Sequence, residues 1–408
     1  MAEIIENSSS VIDLKKNRLR RHLIKELYRT HTTSINKLSR LFHSSIPSAT
    51  GIVNEMQREG WVIEKGIGVA KAGRPPVLYG LNSDKKVNLL IDVNRNEANF
   101  VVMNLNNEIL HEHHRSLHLE NAPSYLAQLT GELDAFLAGI PLSREDFWGI
   151  GVTMPGLISP SQGLNQSYPQ LTPEGVSLTE ALRKKYQLPV LMMNDTHATA
   201  YGEYRFGLAK KFKHVLTINI DWGVGLGVLL EGEVFGGSKG FAGELGHIQV
   251  NPDGILCECG KVGCLDTITS AVALIRQAEE GIAAGRATLL TKLAGADNHS
   301  LSADHIIQAV KMGDSFSIDL LSNLGAELGK GLATAVHLFN PEAIIVTGVL
   351  ARADNFITNP MEQAINRYCL SDFRNALTIK ISELGPKARL LGCQANLVNY
   401  LAEKEFCD

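Results

Sequence analysis

Between Gly243 and Asp266 the chain reads GELGHIQVNPDGILCECGKVGCLD. These 24 residues hold a carboxylate (Glu244), an imidazole (His247) and three thiols (Cys257, Cys259 and Cys264). Glycine and proline recur too often there for a long helix or a plain strand, so the segment is expected as a loop. Three soft thiolates and one imidazole in a loop suit a tetrahedral zinc ion. Four protein ligands would fill its coordination and leave no position for water, which makes the expected metal structural rather than catalytic. The Cys-x-Cys-x4-Cys spacing, flanked by Gly260 and Gly263, favours this over three buried thiols beside a core histidine.

Two further sets of residues carry chemistry. Asn194 and Asp195 follow the apolar run from Pro189 to Met193. Polar side chains just past the C-terminal end of such a strand are where α/β folds place ligands. The competing role for Asp195 is a cap on the helix expected from His197 to Arg205. Nearer the N-terminus, Ser45, Ser48, Ala49, Thr50 and Asn54 put small and polar groups along one expected helix. Such groups reach base edges or phosphates in a major groove. Arg74 follows Gly73 and precedes Pro75 and Pro76, on backbone held extended. There it could enter a minor groove or be incidental charge on a stiff linker, and the residues alone leave both open.

The elements that would position these groups follow from periodicity. Leu19, Leu23, Ile24 and Leu27 have helical spacing within a helix expected over Leu14 to Tyr28. A short helix is expected over Ser34 to Leu41 with Ser34 as its cap, and a third over Ser45 to Arg58 with Pro47 in its first turn. Trp61 to Lys65 and Pro76 to Leu81 read as two strands, the wing of a winged helix-turn-helix. From Val87 strands dominate. An apolar strand ending in Asp92 precedes a hairpin of Ala98 to Leu105 and Glu108 to Leu110, and the pattern recurs at His214 to Asp221, Gly225 to Leu230 and Val234-Phe235. This weak duplication implies two α/β lobes. Helices are expected at Tyr125 to Ala138, Thr269 to Ala284, Ala303 to Lys311, Ser317 to Phe339, Met361 to Tyr368 and Arg389 to Ala402.

Composition bounds the function. The 408 residues carry 44% hydrophobic and 20% charged residues, as soluble globular proteins do. Six scattered or loop-bound cysteines form no disulfide framework, which fits a reducing cytoplasm. The first residues, MAEIIENSSS, lack an apolar signal core, and no run of about 18 apolar residues occurs; neither secretion nor membrane insertion is expected. The net charge of −4 conceals a split. Residues 1–82 hold 13 Lys and Arg against 7 Asp and Glu, a net of +6, and the remainder holds 26 against 36, a net of −10. A basic head on an acidic body suggests a polyanionic partner for the head.

Taken together, these residues resemble the ROK family (repressors, open reading frames and sugar kinases) over essentially the whole chain. The winged helix, Gly73-Arg74-Pro75, Pro155-Gly156, Asn194-Asp195, Gly243-Glu244-Leu245-Gly246-His247 and the cysteine loop occur in family order. The resemblance implies an actin- and hexokinase-like (ribonuclease H-like) body of two α/β lobes that binds a sugar or sugar phosphate. It implies zinc held by His247, Cys257, Cys259 and Cys264, and sugar contacts from Asn194, Asp195, Glu244 and His247. Asp195 matches the kinase base position. Asp266 stands where the family usually has glutamate, one methylene longer, and Asn165 is a further candidate in the loop after Gly156. Family kinases carry a Gly-Gly-Thr phosphate loop and a second one, Gly-Thr-Gly-x-Gly. Here the matching residues are Asn94-Arg95-Asn96 and Asp221-Trp222-Gly223-Val224-Gly225. A carboxylate and an indole beside a triphosphate oppose phosphoryl transfer, which depends on positioning and charge stabilisation, so no enzyme activity is expected.

The expected organisation is a winged helix-turn-helix DNA-binding domain and linker over 1–82, then a ROK sugar-binding domain over 83–408 with its zinc loop at 243–266. The expected function is a transcriptional regulator, a repressor of sugar uptake or catabolism genes. Its partners would be operator DNA and a sugar or sugar-phosphate effector, and its assembly a homodimer, with a tetramer also open. The alternatives are an ATP-dependent sugar kinase with a DNA-binding head, and a repressor switched by a protein partner.

Overall fold

The structure, a computed structural model, describes residues 11–69, 75–296 and 300–406, and all statements below refer to these. Arg74, the arginine expected at the DNA, lies outside them, as does Cys407. Leu19, Leu23, Ile24 and Leu27 are buried along α1 (Val11–Thr30). After the two-residue strand β1 (Thr33–Ser34), Ser34 caps α2 (Ile35–Leu41) by accepting from the Lys37 amide. Ser45 caps α3 (Ile46–Arg58) in the same way through the Ser48 amide at 3.3 Å, with Pro47 in the first turn where its missing N–H costs nothing. The antiparallel pair β2 (Val62–Ile67) and β3 (Val77–Leu81) completes a three-stranded wing in the order β1-β3-β2. The winged helix is present as expected.

The chain divides into two compact units, and the head shares the first with residues 83–154, 162–192 and 393–408. Trp61, in the turn between α3 and β2, is 4% exposed and packs on Trp148 (ring centroids 4.9 Å apart) and Phe406 (6.2 Å). The Arg20 guanidinium lies over Phe406, and Arg21 and Lys25 pair with Glu403 at 3.2 and 2.5 Å. Lys16 and Arg20 pair with Glu55 and Glu59. Much of the head's excess positive charge on α1 is therefore spent inside the fold. Lys37, Arg40, Arg58 and Lys65 remain exposed.

The first lobe begins with β4 (Val87–Val93), buried throughout, then β5 (Glu97–Asn104) and β6 (Ile109–Ser116). Asn107, in the left-handed conformation, turns the chain between the last two. Strand β6 runs six residues past the expected end, because a charged sheet edge such as His111 to Arg115 carries no alternating apolar signal. Helix α4 (Pro123–Ala138) leads to β7 (Phe147–Met154), which pairs parallel to β4. Two-residue strands β8 (Ile158–Ser159) and β9 (Leu164–Asn165) precede α5 (Leu178–Tyr186), a short helix missed in the sequence, and β10 (Val190–Asn194). The sheet order is β10-β7-β4-β5-β6.

The second unit, residues 155–161 and 193–392, repeats that plan. Helix α6 (Asp195–Phe206) precedes β11 (Val215–Ile220), β12 (Val224–Leu230) and β13 (Glu233–Val234). A one-turn helix α7 (Asp266–Thr269), not expected, stops at Ser270, whose side chain caps α8 (Ala271–Ala283), the helix expected from Thr269 to Ala284. Helices α9 (Leu290–Ala296), α10 (Ala303–Lys311) and α11 (Ser315–Phe339) follow, and Asn340 ends α11 in the left-handed conformation. Strand β14 (Ala343–Thr347) leads to α12 (Asn355–Tyr368), which begins six residues before the expected start because Pro360 sits within it. After α13 (Ser371–Asn375) and β15 (Thr378–Ile381) comes α14 (Lys387–Glu405), and the boundary between the units falls within it, after Gly392. The order β13-β12-β11-β14-β15 reproduces β6-β5-β4-β7-β10, with an antiparallel hairpin on one side of the opening strand and parallel strands on the other. No described helix is long and apolar enough to cross a membrane.

Candidate metal centre and ligand site

Two glycines that admit no side chain shape the loop from Gly243, one against β12 and one against the loop's own backbone. At Gly243 (φ 94°) a Cβ would stand 1.8 Å from the Leu226 carbonyl, and at Gly263 (φ 72°) 1.5 Å from the Asn251 carbonyl. Backbone bonds from Val250 to Gly263, Cys257 to Lys261 and Leu265 to Ile248 draw its two arms together. One donor atom from each of His247, Cys257, Cys259 and Cys264 then lies within 4.8 Å of the others. The Cys259 and Cys264 sulfurs are 3.6 Å apart, and His247 Nδ1 is 3.6 Å from the Cys257 sulfur. Zinc–sulfur and zinc–nitrogen bonds of about 2.3 and 2.0–2.1 Å at tetrahedral angles require separations of about 3.8 and 3.6 Å. The four residues thus fit a small tetrahedral cation. Burial and bonds from the neighbouring sulfurs push the Cys264 thiol up to about 12. Three thiolates this close need a positive charge among them.

His247 uses its two nitrogens differently. Nδ1 faces the sulfurs, and Nε2 faces Glu244 Oε2 at 3.8 Å. At that distance the carboxylate is a charge neighbour of the ring rather than its hydrogen-bond partner. Loss of hydration pushes the Glu244 carboxyl up to about 7, with the Asp195 and Asp266 charges adding to the rise and Lys261 opposing it. Its side chain keeps 42% of its surface, so solvent screens much of this repulsion.

Of the other expected ligand residues in the second unit, Asp266 bonds the start of β12, and Asn194 and Asp195 begin α6, whose Thr196 packs on Gly225 of that strand. Asn194 rather than Asp195 is the N-cap of α6: its Oδ1 accepts from the Thr196 and His197 amides at 2.8 and 3.1 Å, while its amide donates to the Gly156 carbonyl at 3.1 Å. Asp195 Oδ1 accepts from the Thr196 amide, and Oδ2 lies 3.8 Å from an Arg389 nitrogen. Gly225 stands so close to Thr196 that a Cβ there would be 2.3 Å from its hydroxyl. Asp266 Oδ1 accepts from the Val224 amide at 2.6 Å, within the loop matched to the second phosphate loop. Asn165 belongs to the first unit; it is 5% exposed and accepts from the Ser167 amide. Sequence reasoning missed Arg389 and His197. Arg389 lay inside a helical pattern with nothing to mark it. His197 is buried, binds the Ala242 carbonyl at 2.9 Å and ties α6 to the loop carrying Glu244. Burial lowers its pKa.

The sequence pattern of the ROK family matches residues 89–399. The chain belongs to the ROK family. Among curated ROK relatives, the xylose repressor of Bacillus subtilis (strain 168) is 29% identical over 93% of this chain and 95% of its own length. The dual regulator NagC of Escherichia coli (strain K12) is 26% identical over 84% and 83%. Among solved structures, a ROK family transcriptional regulator described as a homologue of the E. coli MLC protein superposes with a TM-score of 0.80 at 28% identity, covering 97% of this chain and 99% of that one. A ROK glucokinase from Streptomyces griseus, in complex with glucose and AMPPNP, gives 0.66 at 27% identity, covering 76% and 98%. The actin-like two-lobed body expected from the ROK resemblance is therefore the fold of this chain.

On the head, α3 divides the expected contact residues. Ser48 and Asn54 are exposed and Thr50 half-exposed, with its hydroxyl bonded to the Ile46 carbonyl. Ser45 is exposed as the cap. Ala49 is 2% exposed and faces the core with Ile52, Val53 and Met56, so it is withdrawn from the reading face. Its small size suits close helix packing, which a count of small residues cannot tell from groove contact. Ile46, 53% exposed at the start of α3, presents an apolar group beside the polar ones.

Proposed function

We propose that this chain is a DNA-binding transcriptional repressor of sugar uptake or catabolism genes, controlled by a sugar or sugar phosphate at the site formed by Asn194, Asp195, Glu244, His247 and Asp266. One observation carries the reading: a winged helix with an outward polar α3 precedes a ROK body in the same chain, and relatives named as repressors match both parts, whereas the glucokinase covers only 76% of it. Residues 1–82 form the DNA-reading domain, with Ser45, Ser48, Thr50, Asn54 and Arg74 as its contacts, and 83–408 the sugar-binding domain. The protein acts in the cytoplasm as a homodimer, placing two α3 helices in successive major grooves of a near-palindromic operator.

The metal is zinc, held by His247, Cys257, Cys259 and Cys264 and structural because protein atoms fill its coordination. It supplies folding energy to the loop and keeps His247 and Glu244 aimed at the ligand. Phosphorylation is lost. Asn94 closes its own turn by accepting from the Asn96 and Glu97 amides, and the Val224 amide is taken by Asp266. Backbone amides so occupied cannot cradle phosphate. Two measurements test the reading. The full-length protein should bind a fragment from its own promoter region in a salt-dependent manner and release or tighten on addition of xylose, N-acetylglucosamine or glucose, or of their phosphates. Turnover of ATP with any of these sugars at about 1–100 per second would overturn it in favour of a kinase.

A further inference from the structure

Helix α3 has an outward face that its hydrogen-bonding residues do not fill. Pro47, Gly51, Asn54 and Arg58 follow one another at helical spacing and are exposed, opposite the buried Ala49, Ile52, Val53 and Met56. Two hydroxyls near the start of the helix are already engaged. Ser45 Oγ accepts from the Ser48 amide at 3.3 Å, and the Thr50 hydroxyl donates to the Ile46 carbonyl at 2.8 Å. The large side chain at this end is apolar: Ile46 is 53% exposed. A lone exposed isoleucine needs no explanation on most surfaces. This one is the first residue of the helix that reads DNA, where side chains lean towards the helix N-terminus and so lead it into a groove.

Gly51 lies at the middle of the outward face. A Cβ there would meet no atom within 4 Å, so packing within the chain gives no reason for the residue that favours a helix least after proline. In α11, by contrast, a Cβ at Gly325 or Gly329 would stand 2.5 or 2.4 Å from a carbonyl of α12. Openness alone decides nothing, since Gly131 on α4 is as open; the place of Gly51 on the reading helix does. The major groove is about 12 Å wide and a helix with its side chains roughly 10–12 Å across. A helix left bare at the middle of its outward face seats deeper in that groove.

Resting on the reading above that this chain binds operator DNA through α3, we propose that Ile46 reads the 5-methyl group of a thymine in the major groove, and that Gly51 lets the α3 backbone come close enough for that contact. Thymine alone among the four bases carries this methyl, and an apolar side chain recognises it where a hydroxyl would not. Ile46 is then a specificity-determining residue and Gly51 a positioning one.

The test uses the full-length chain and a fragment from its own promoter region, prepared with thymine or with uracil, which lacks only the 5-methyl group. One buried methyl contact is worth about fourfold in affinity, so a dimer with two heads should lose about tenfold when uracil replaces thymine. Ile46→Ala should bind the thymine fragment about tenfold more weakly and lose at least about threefold less than the native chain on uracil. Equal uracil losses in the two chains overturn the assignment and leave the repressor reading standing. No binding of the thymine fragment by the native chain sinks that reading, and this inference with it. Gly51→Ala should slow hydrogen exchange along α3, as a better helix former does, yet bind the thymine fragment at least about tenfold more weakly. Undiminished binding, or faster exchange, removes Gly51 from the proposal.

Discussion

Asn194 offers a prediction whose size can be worked from its three hydrogen bonds. Replacing it by Ala leaves the Thr196 amide satisfied, because Asp195 also binds it at 2.7 Å. The His197 amide loses its acceptor and the Gly156 carbonyl loses its donor. A lost cap costs about 1 kcal/mol and a lost net hydrogen bond about another, so Asn194→Ala should destabilise the second unit by about 2 kcal/mol. For a unit of this size that lowers the melting temperature by roughly 4–8 °C. Asn194→Ser keeps a capping oxygen but cannot reach Gly156, and should lose about half as much. Thermal unfolding of the two variants, with hydrogen exchange at His197 as the local readout, separates the terms. Equal losses in both variants, or none in Asn194→Ala, would show that the capping account of this residue is wrong.

Other expectations follow from the same geometry. Cys257→Ser should release zinc and abolish any sugar-induced stabilisation together, whereas Glu244→Ala should keep stoichiometric zinc and lose only the stabilisation; metal analysis and thermal shift on the same samples decide this, and a Cys257→Ser protein with full sugar response would break the link between clamp and pocket. Gly263→Ala, whose Cβ would meet the Asn251 carbonyl at 1.5 Å, should lose the metal although no ligand is touched. His197, with its pKa below 6.5 in the fold, contributes stability that is full above the unfolded value and falls as pH drops through 6.5, at no more than about 1.4 kcal/mol per pH unit. Denaturation curves between pH 5 and 8 should show this slope in the native chain and lose it in His197→Gln. On the head, Asn54→Ala should weaken operator binding by about 1–3 kcal/mol if it reads a base edge, while Ala49→Ser should act on stability instead, because Ala49 is buried.

Much of the architecture could be read from the sequence because its signals were local. Ser34 and Ser45 announced their helices as caps, and both sheets were visible as paired apolar runs. The cluster that could hold a metal was legible for the same reason, since three cysteines and a histidine within one loop lie close in sequence. What escaped depended on distance or on suppressed signals. Arg389 meets Asp195 across nearly 200 positions of sequence and sits among ordinary helical residues. Strand β6 is polar because it lies at an edge, and Pro360 hid the first turns of α12. Ala49 shows the opposite error, where small size was taken for accessibility. The charge of the head was counted correctly but assigned to a partner, although Glu55, Glu59 and Glu403 already consume part of it.

The aromatic floor beneath the head also sets a condition on biosynthesis. Trp61 rests on Trp148 and Phe406, and the last of these is synthesised 345 residues after the first. At about 5–20 residues per second, the ribosome needs roughly 17–70 s to supply the missing ring and the Glu403 carboxylate that pairs with α1. Through that interval Trp61 lacks the Phe406 ring and α1 lacks its Glu403 partner. A shortened chain ending before Glu403 would carry an intact reading helix on an unsupported base.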